Sequence, residues 1–286
     1  MVQVTRDLRS VWDFSDPAAT EVRFRGMLGD NAIDNLCYQT QIARTLGLRD
    51  RFDEAHALLD TVDAEIAALA DPTDVGAVEA KVRSLLERGR VFRSSKRPAN
   101  ARPIFLDAVA VAEQAQMDAL AIDAMHMVVL VVDDQAESLQ WSEKALQRAL
   151  ASDDPAARNW DAPLANNMGW TYHDAGNFTE AMRLFKIALA ARERIGAPRP
   201  IQIGKWMIAR AHRSLLEHAD ALAILHELEK LNNEDGFVSE ELGENYEAVG
   251  QHETAKPYFA RAYELLKNDS SVDAPRLARI LALSQS

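Results

Sequence analysis

Residues 162–193 read APLANNMGWTYHDAGNFTEAMRLFKIALAARE, and the spacing within this stretch decides the fold. Small residues stand at Gly169 and Ala181, and Phe185 follows the second of them by four positions. Apolar residues three or four apart predict two helices, with Gly176 in the turn between them. Small residues let two antiparallel helices approach closely, and an aromatic ring fills the gap to the next pair. The stretch therefore predicts a helix hairpin.

The same spacing recurs along the chain. A clear second copy contains Leu242, Gly243, Tyr246, Gly250, Ala255, Phe259 and Ala262. Weaker copies follow when the small residue of the second helix is aligned, at Ala55, Ala101, Ser138 and Ala221. The six copies begin at residues 36, 82, 119, 162, 202 and 236. Several of these separations exceed the usual period of about 34 residues, so we expect some longer helices or loops.

This pattern resembles that of the tetratricopeptide repeat, W-x2-L-G-x2-Y, then A-x3-F, then P. The resemblance covers roughly residues 36–267. It implies an all-α fold, an α-solenoid that winds as a right-handed superhelix of about six hairpins, because one hairpin cannot bury its apolar face alone. We expect one domain over residues 1–286, with an N-terminal cap at 1–35 and a C-terminal cap at 268–286.

Helix-start signals fit this plan. Ser15-Asp16-Pro17 opens a capping helix to about residue 28, and Asp273-Ala274-Pro275 opens a last one. Asp71-Pro72 is predicted to begin another helix. We expect Trp12 and Phe14 to anchor the N-terminal cap.

The composition excludes other classes. The 286 residues include only 12 glycines, 10 prolines and 7% aromatic residues, which argues against an all-β protein, while 48% hydrophobic residues argue against disorder. No apolar run approaches the ~18–20 residues that cross a bilayer, and the N-terminus lacks the features of a signal peptide. The net charge of −12 disfavours nucleic acid and anionic membranes as partners. We expect a cytoplasmic protein.

No catalytic or nucleotide-binding motif is found. The phosphate-binding glycine loops, H-E-x-x-H and G-x-S-x-G are all missing. His212, His218 and His226 are six and eight residues apart, which does not bring them together on one helix face. Cys37, the single cysteine, is predicted to be a small packing residue. We expect no metal, no cofactor and no catalytic activity.

The resemblance implies that the first helix of each hairpin lines a concave groove. The family's groove-facing positions carry both charge and aromatic rings in this sequence. Arginine and tryptophan are the residues most enriched at binding hot spots, and arginine forks match carboxylates. We predict a groove for an acidic or carboxylate-bearing protein or peptide segment. The predicted binding residues are Arg90, Arg93, Asp123, Met127, Asn166, Asn167, Trp170, His173, Trp206, Arg210, Arg213 and Glu244.

Alternatives stay open. Trp170 and Trp206 are equally able to fill gaps between helices. The chaperone-binding carboxylate clamp is not expected, because only Asn167 matches its pattern. A narrow groove would make a small-molecule sensor, or an enzyme that uses His173 for acid–base chemistry. The chain would instead form a structural homo-oligomer if the acidic final repeat docked on the basic second repeat of another copy.

Overall fold

The computed structural model describes residues 5–285; residues 1–4 and 286, the ends of the predicted domain, lie outside this range. The described residues are helical with no strand among them, which confirms the predicted all-α fold. A short 3-10 turn at Arg9–Val11 precedes the α-helices. Their bounds are α1 (Pro17–Gly26), α2 (Ala32–Gly47), α3 (Phe52–Ala67), α4 (Val75–Ser94), α5 (Pro98–Gln114), α6 (Asp118–Val129), α7 (Gln135–Ala151), α8 (Pro155–Arg158), α9 (Asp161–Asp174), α10 (Phe178–Ile195), α11 (Pro198–Ser214), α12 (His218–Leu231), α13 (Gly236–Ala248), α14 (His252–Leu266) and α15 (Ala274–Gln285).

Six helix pairs correspond to the six predicted repeats, so the α-solenoid is confirmed. The pairs are α2–α3, α4–α5, α6–α7, α9–α10, α11–α12 and α13–α14. The four-residue helix α8 lies between the third and fourth pairs and accounts for part of their wide separation. Helices α1 and α15 flank the array, as the cap signals predict. Within the described range, no helix has the length and apolarity needed to cross a membrane.

The helix caps follow the sequence signals with one exception. Asp16 accepts a hydrogen bond from the Ala19 backbone at 2.9 Å at the start of α1. The prediction at Asp71-Pro72 is wrong, because Asp71 closes a turn with Thr73 and the helix begins three residues later. Its N-cap is Asp74, whose carboxylate accepts from the Gly76 backbone at 2.9 Å.

The chain divides into two compact units, a first unit through Asp161 and a second unit from Ala162 onward. The first unit contains α1–α8, and its largest buried side chains include Phe24 and Phe105. The second unit contains the remaining hairpins and α15, with Phe185 and Phe259 fully buried. The prediction of a single domain stays a prediction.

The glycine positions explain how the hairpins close. A Cβ atom at Gly169 would lie 2.4 Å from the Phe185 ring, and one at Gly89 would lie 2.3 Å from the Phe105 ring. Real Cβ contacts are longer, so these rings need glycine opposite them. The repeat spacing therefore reports a contact between the first and second helix of the hairpin.

The turns inside five of the six hairpins contain a residue with positive φ. Gly176 and Gly250 take φ of +78° in the fourth and sixth hairpins, and Leu216 takes +62° in the fifth. Asp50 and Lys96 do the same in the first two hairpins. Glycine reaches this conformation without steric cost, whereas leucine does not.

Candidate functional site

The predicted binding residues fall on both units. Arg90, Arg93, Asp123 and Met127 belong to the first unit, and the other eight belong to the second.

Three aromatic rings form a row on the first helices of consecutive hairpins in the second unit. Trp170 of α9 and Trp206 of α11 have centroids 6.1 Å apart, and Phe237 of α13 lies 6.2 Å beyond Trp206. The Trp206 indole donates to the Phe237 carbonyl at 3.1 Å, which fixes its orientation. Both tryptophans are partly exposed. This row is therefore a surface feature as well as a packing contact.

Arg210 lies against this row and also pairs with a buried carboxylate. Its guanidinium carbon is 5.9 Å from the Trp170 ring and 6.0 Å from the Trp206 ring, within cation–π range. Its Nη1 donates to Oε1 of Glu241, a residue with 1% of its side chain exposed. Arg213 donates to the other oxygen of Glu241 at 2.7 Å.

These contacts determine the charge state of Glu241. Burial by itself raises the pKa of this carboxyl, but the hydrogen bonds and charges of Arg213 and Arg210 outweigh burial, so the pKa is lowered. Glu241 therefore stays ionised and holds both guanidinium groups in place.

The remaining acidic residues of the last hairpin are paired as well. Arg276 of α15 donates to both oxygens of Glu240, at 2.8 and 2.6 Å. Arg279, one turn later, donates to Glu244. The C-terminal helix thus neutralises an acidic face that the sequence presents as a free patch.

His173 and Asn166 occupy the neighbouring part of α9. The His173 Nε2 lies 2.9 Å from the Ser214 hydroxyl, and its ring packs edge-on against Trp170 at 5.2 Å. Burial, followed by the positive charge of Arg210, lowers the pKa of His173. Asn166 accepts a hydrogen bond from Arg192 at 2.8 Å and donates to the side chain of Asn167 at 3.1 Å.

An apolar cavity of about 240 Å³ adjoins the aromatic row, and sequence reasoning missed it. Its walls include Ile203, Trp206, Leu228 and Phe237. Ile203 is 41% exposed. The nearest sequence signal was the apolar Ile203 in the first helix of the repeat.

In the first unit, Arg90 connects two carboxylates from successive hairpins. It donates to Glu87 at 2.5 Å and to both oxygens of Asp123 at 2.6 Å. Burial by itself raises the pKa of Asp123, but the charge and hydrogen bonds of Arg90 outweigh it and lower the pKa. Glu87 is 2% exposed and its Oε2 has no hydrogen-bond partner among the described residues.

A second cavity, of about 180 Å³, lies next to this network. The predicted residues Arg90, Arg93 and Met127 line it, together with Arg44 and Leu48. The structure therefore brings the four predicted residues of the first unit together. Three of them line the cavity, and Asp123 is connected to it by its ion pair with Arg90.

The other candidate side chains have structural surroundings. Cys37 is fully buried, and burial raises the pKa of its thiol to about 11, so it is a poor nucleophile. His212, Glu217 and Asp220 have ligand atoms within 4.8 Å of one another, the one such group in the described part of the chain. The His212 Nδ1 lies 2.6 Å from Glu217, and both carboxylates are exposed.

Comparison with known proteins gives one family match. The family model described as "Tetratricopeptide repeat" matches residues 164–195, the stretch with the clearest spacing. No curated protein matches the sequence.

Solved structures share the fold at low sequence identity. The apo form of RapI has a TM-score of 0.72 at 11% identity, covering 95% of this chain and 77% of its own. A STAND signal-transduction ATPase from Pyrococcus horikoshii, whose repeats are described as a sensor, has a TM-score of 0.61 at 13% identity, covering 97% and 46%. BtubC from P. vanneervenii has a TM-score of 0.58 at 11% identity, covering 80% and 92%. The chain therefore contains a match to the tetratricopeptide repeat at residues 164–195, and its helical-repeat fold is shared with tetratricopeptide-repeat structures.

Proposed function

We propose that the chain is a non-catalytic interaction protein that binds a peptide or protein segment on the first helices of the second unit. The bound segment places an apolar side chain in the cavity beside Trp206 and a carboxylate on Arg210. The tetratricopeptide-repeat fold is typical of protein-interaction modules.

The observation that carries this proposal is the double role of Trp206. Its ring lines the apolar cavity and also lies 6.0 Å from the Arg210 guanidinium carbon. An apolar site and a cationic site therefore share one side chain. A ligand that combines an apolar group with a nearby negative charge matches both.

Arg210 keeps donors for such a ligand. One hydrogen bond to Glu241 uses Nη1, and the described residues offer no acceptor to Nε or Nη2. The side chain is 28% exposed, so these donors are accessible. The buried carboxylate pre-organises the guanidinium, which lowers the entropic cost of binding.

The cavity size favours a side chain over a whole small molecule. A volume of about 240 Å³ is below the ~300–1,000 Å³ typical of small-molecule sites. A small-molecule sensor is the second candidate, since the cavity is well defined and largely apolar in its lining. A homo-oligomer held by the acidic last hairpin has less support, because Glu240, Glu241 and Glu244 pair within the unit.

The test is fluorescence polarisation with a labelled library of eight-residue peptides that carry one Phe or Leu and one acidic residue. A matched library replaces each acid by its amide. We expect binding from the acidic library, and at least tenfold weaker binding for the Ile203→Ser and Arg210→Gln variants.

Val249→Ser is the matched control, because Val249 is 42% exposed, close to the 41% of Ile203, and does not line the cavity. Equal binding by the acid and amide libraries would overturn the charge requirement. Equal loss in the control variant would overturn the site.

A further inference from the structure

We propose that the first unit binds a small aliphatic monocarboxylate in the 180 Å³ cavity, with Arg44 and Arg93 holding the carboxylate. This goes beyond the peptide site, because it concerns another unit, other residues and a ligand that need not be a peptide.

Arg44 is the first reason. No hydrogen-bond acceptor for its guanidinium lies among the described residues, and its one ion-pair distance within 4.0 Å is 3.8 Å, to Glu87. The side chain is only 27% exposed. The guanidinium therefore has unused donors, and an anion in the cavity that it lines would supply acceptors for them.

The N-terminal segment holds Arg44 at the cavity. The guanidinium carbon lies 5.0 Å from the Trp12 ring and 5.3 Å from the Phe14 ring, and these two rings stack at 4.8 Å. The Trp12 indole is itself fixed by a 3.0 Å hydrogen bond to Gln41. The predicted anchoring role of Trp12 and Phe14 therefore includes positioning an arginine.

The charge balance specifies the ligand. Three guanidinium groups line the cavity, from Arg44, Arg90 and Arg93. Glu87 and Asp123 neutralise part of this charge through Arg90, and neither carboxylate lines the cavity. One positive charge remains in excess, which matches a monovalent carboxylate better than a divalent phosphate.

Arg93 and the cavity walls complete the site. Arg93 is exposed, and its side chain has no ion pair or hydrogen bond within the described residues, so its guanidinium is available. Leu48, Val91 and Met127 provide apolar walls beside the cationic end. This combination suits a carboxylate with a short aliphatic tail.

Burial and the neighbouring charge of Arg90 both lower the pKa of Arg44. A bound anion would offset this repulsion, which agrees with the geometry.

The test is isothermal titration calorimetry of the full chain with sodium valerate, with valeramide as the uncharged isostere. We expect binding of valerate and none of valeramide. Arg93→Gln should weaken valerate binding at least tenfold, since this exposed side chain has no structural partner. Arg44→Gln should have the same effect, with circular dichroism to verify its folding.

Arg102→Gln is the control, because Arg102 is an arginine of the same unit that pairs with Glu137 and does not line the cavity. Unchanged valerate affinity in Arg93→Gln, or equal affinity for valeramide, would overturn the site. Ile203→Ser should leave valerate binding unchanged, so failure of this site and failure of the peptide site are distinguishable.

A tripeptide arm identifies the source of the carboxylate. Ala-Ala-Leu with a free C-terminus is compared with its C-terminal amide. Binding of valerate alone indicates a free acid. Stronger binding of the free-terminus peptide than of valerate or the amide indicates a peptide C-terminus, and either result supports the carboxylate site.

Discussion

Arg210 of α11 donates a hydrogen bond to Glu241 of α13, so opposite charges on consecutive hairpins meet at a buried contact. Arg213, one turn along α11, shares the same carboxylate at 2.7 Å. One ionised group with 1% exposure therefore serves two guanidinium groups.

Replacing Glu241 by glutamine should destabilise the fold. The amide keeps the shape but removes the counter-charge that two partly buried cations share, and Arg213 retains only the 4.0 Å distance to Glu244. We expect a loss of about 2–4 kcal/mol in the free energy of unfolding. Urea denaturation followed by circular dichroism measures it. Glu227→Gln is the control, because the Glu227 side chain is 64% exposed and its ion pair with Lys205 is 3.4 Å long. We expect this variant to lose less than about 1 kcal/mol in the free energy of unfolding. Similar losses in both variants would contradict the prediction.

Stability should fall as the pH drops below neutral. The pKa of His173 in the folded chain lies below its ordinary value of 6.5, and burial lowers the pKa of His56 and His126 too. At a pH between the folded and unfolded pKa values of these histidines, the unfolded chain binds more protons than the folded chain. The contribution of the neutral histidines to folding stability is therefore fully present above pH 6.5 and is lost as the pH falls through their folded pKa values. Thermal melts from pH 8 to 5 measure the slope.

His173→Gln is the comparison for this slope. The variant should show a shallower fall in melting temperature across the same range, because one of the three histidines no longer titrates. An identical slope in the variant and the unaltered chain would remove His173 from the effect.

The two kinds of glycine should respond differently to alanine. Gly169→Ala places a Cβ 2.4 Å from the buried Phe185 ring, and we expect a loss of about 1–3 kcal/mol from overpacking. Gly176→Ala meets nothing within 4 Å, but its φ of +78° costs an L-residue about 1–2 kcal/mol. In a Phe185→Leu background, Gly169→Ala should cost less free energy of unfolding than it does in the unaltered chain. Gly176→Ala should cost the same in both backgrounds. Denaturation curves of the single and double variants measure these differences.

The C-terminal helix should contribute core stability. Ile280 of α15 is fully buried, so Ile280→Ala should cost about 2–4 kcal/mol. Leu265→Ala, at a side chain that is 39% exposed, should cost much less. Chemical denaturation of both variants measures the difference, and a loss in Ile280→Ala no larger than that of Leu265→Ala in α14 would contradict the prediction.

Sequence reasoning recovered what depends on local spacing. The Gly169–Phe185 contact lies within one hairpin, so a pattern over sixteen positions reports it. The shifted start of α4 was missed, because Asp71 and Asp74 are both good caps.

The candidate sites were only partly predictable. Arg210 and Trp206 follow from the family's groove positions, and the list of binding residues stays a prediction. The pairing of Glu240 with Arg276 and the cavity beside Ile203 depend on which side chains meet across hairpins. The role of Arg44 depends on rings that lie about thirty residues earlier in the chain. No single-repeat pattern contains that information.

The ion pairs between consecutive hairpins also distinguish one hairpin from another. Arg90 of α4 pairs with Asp123 of α6, and Arg210 of α11 pairs with Glu241 of α13. The Gly–Phe contact recurs in three hairpins, at Gly89–Phe105, Gly169–Phe185 and Gly243–Phe259, so it does not distinguish one of these hairpins from another. A misplaced hairpin would bury one of these charges without its partner. We therefore expect these ion pairs to favour the native pairing of consecutive hairpins over pairing with a wrong neighbour.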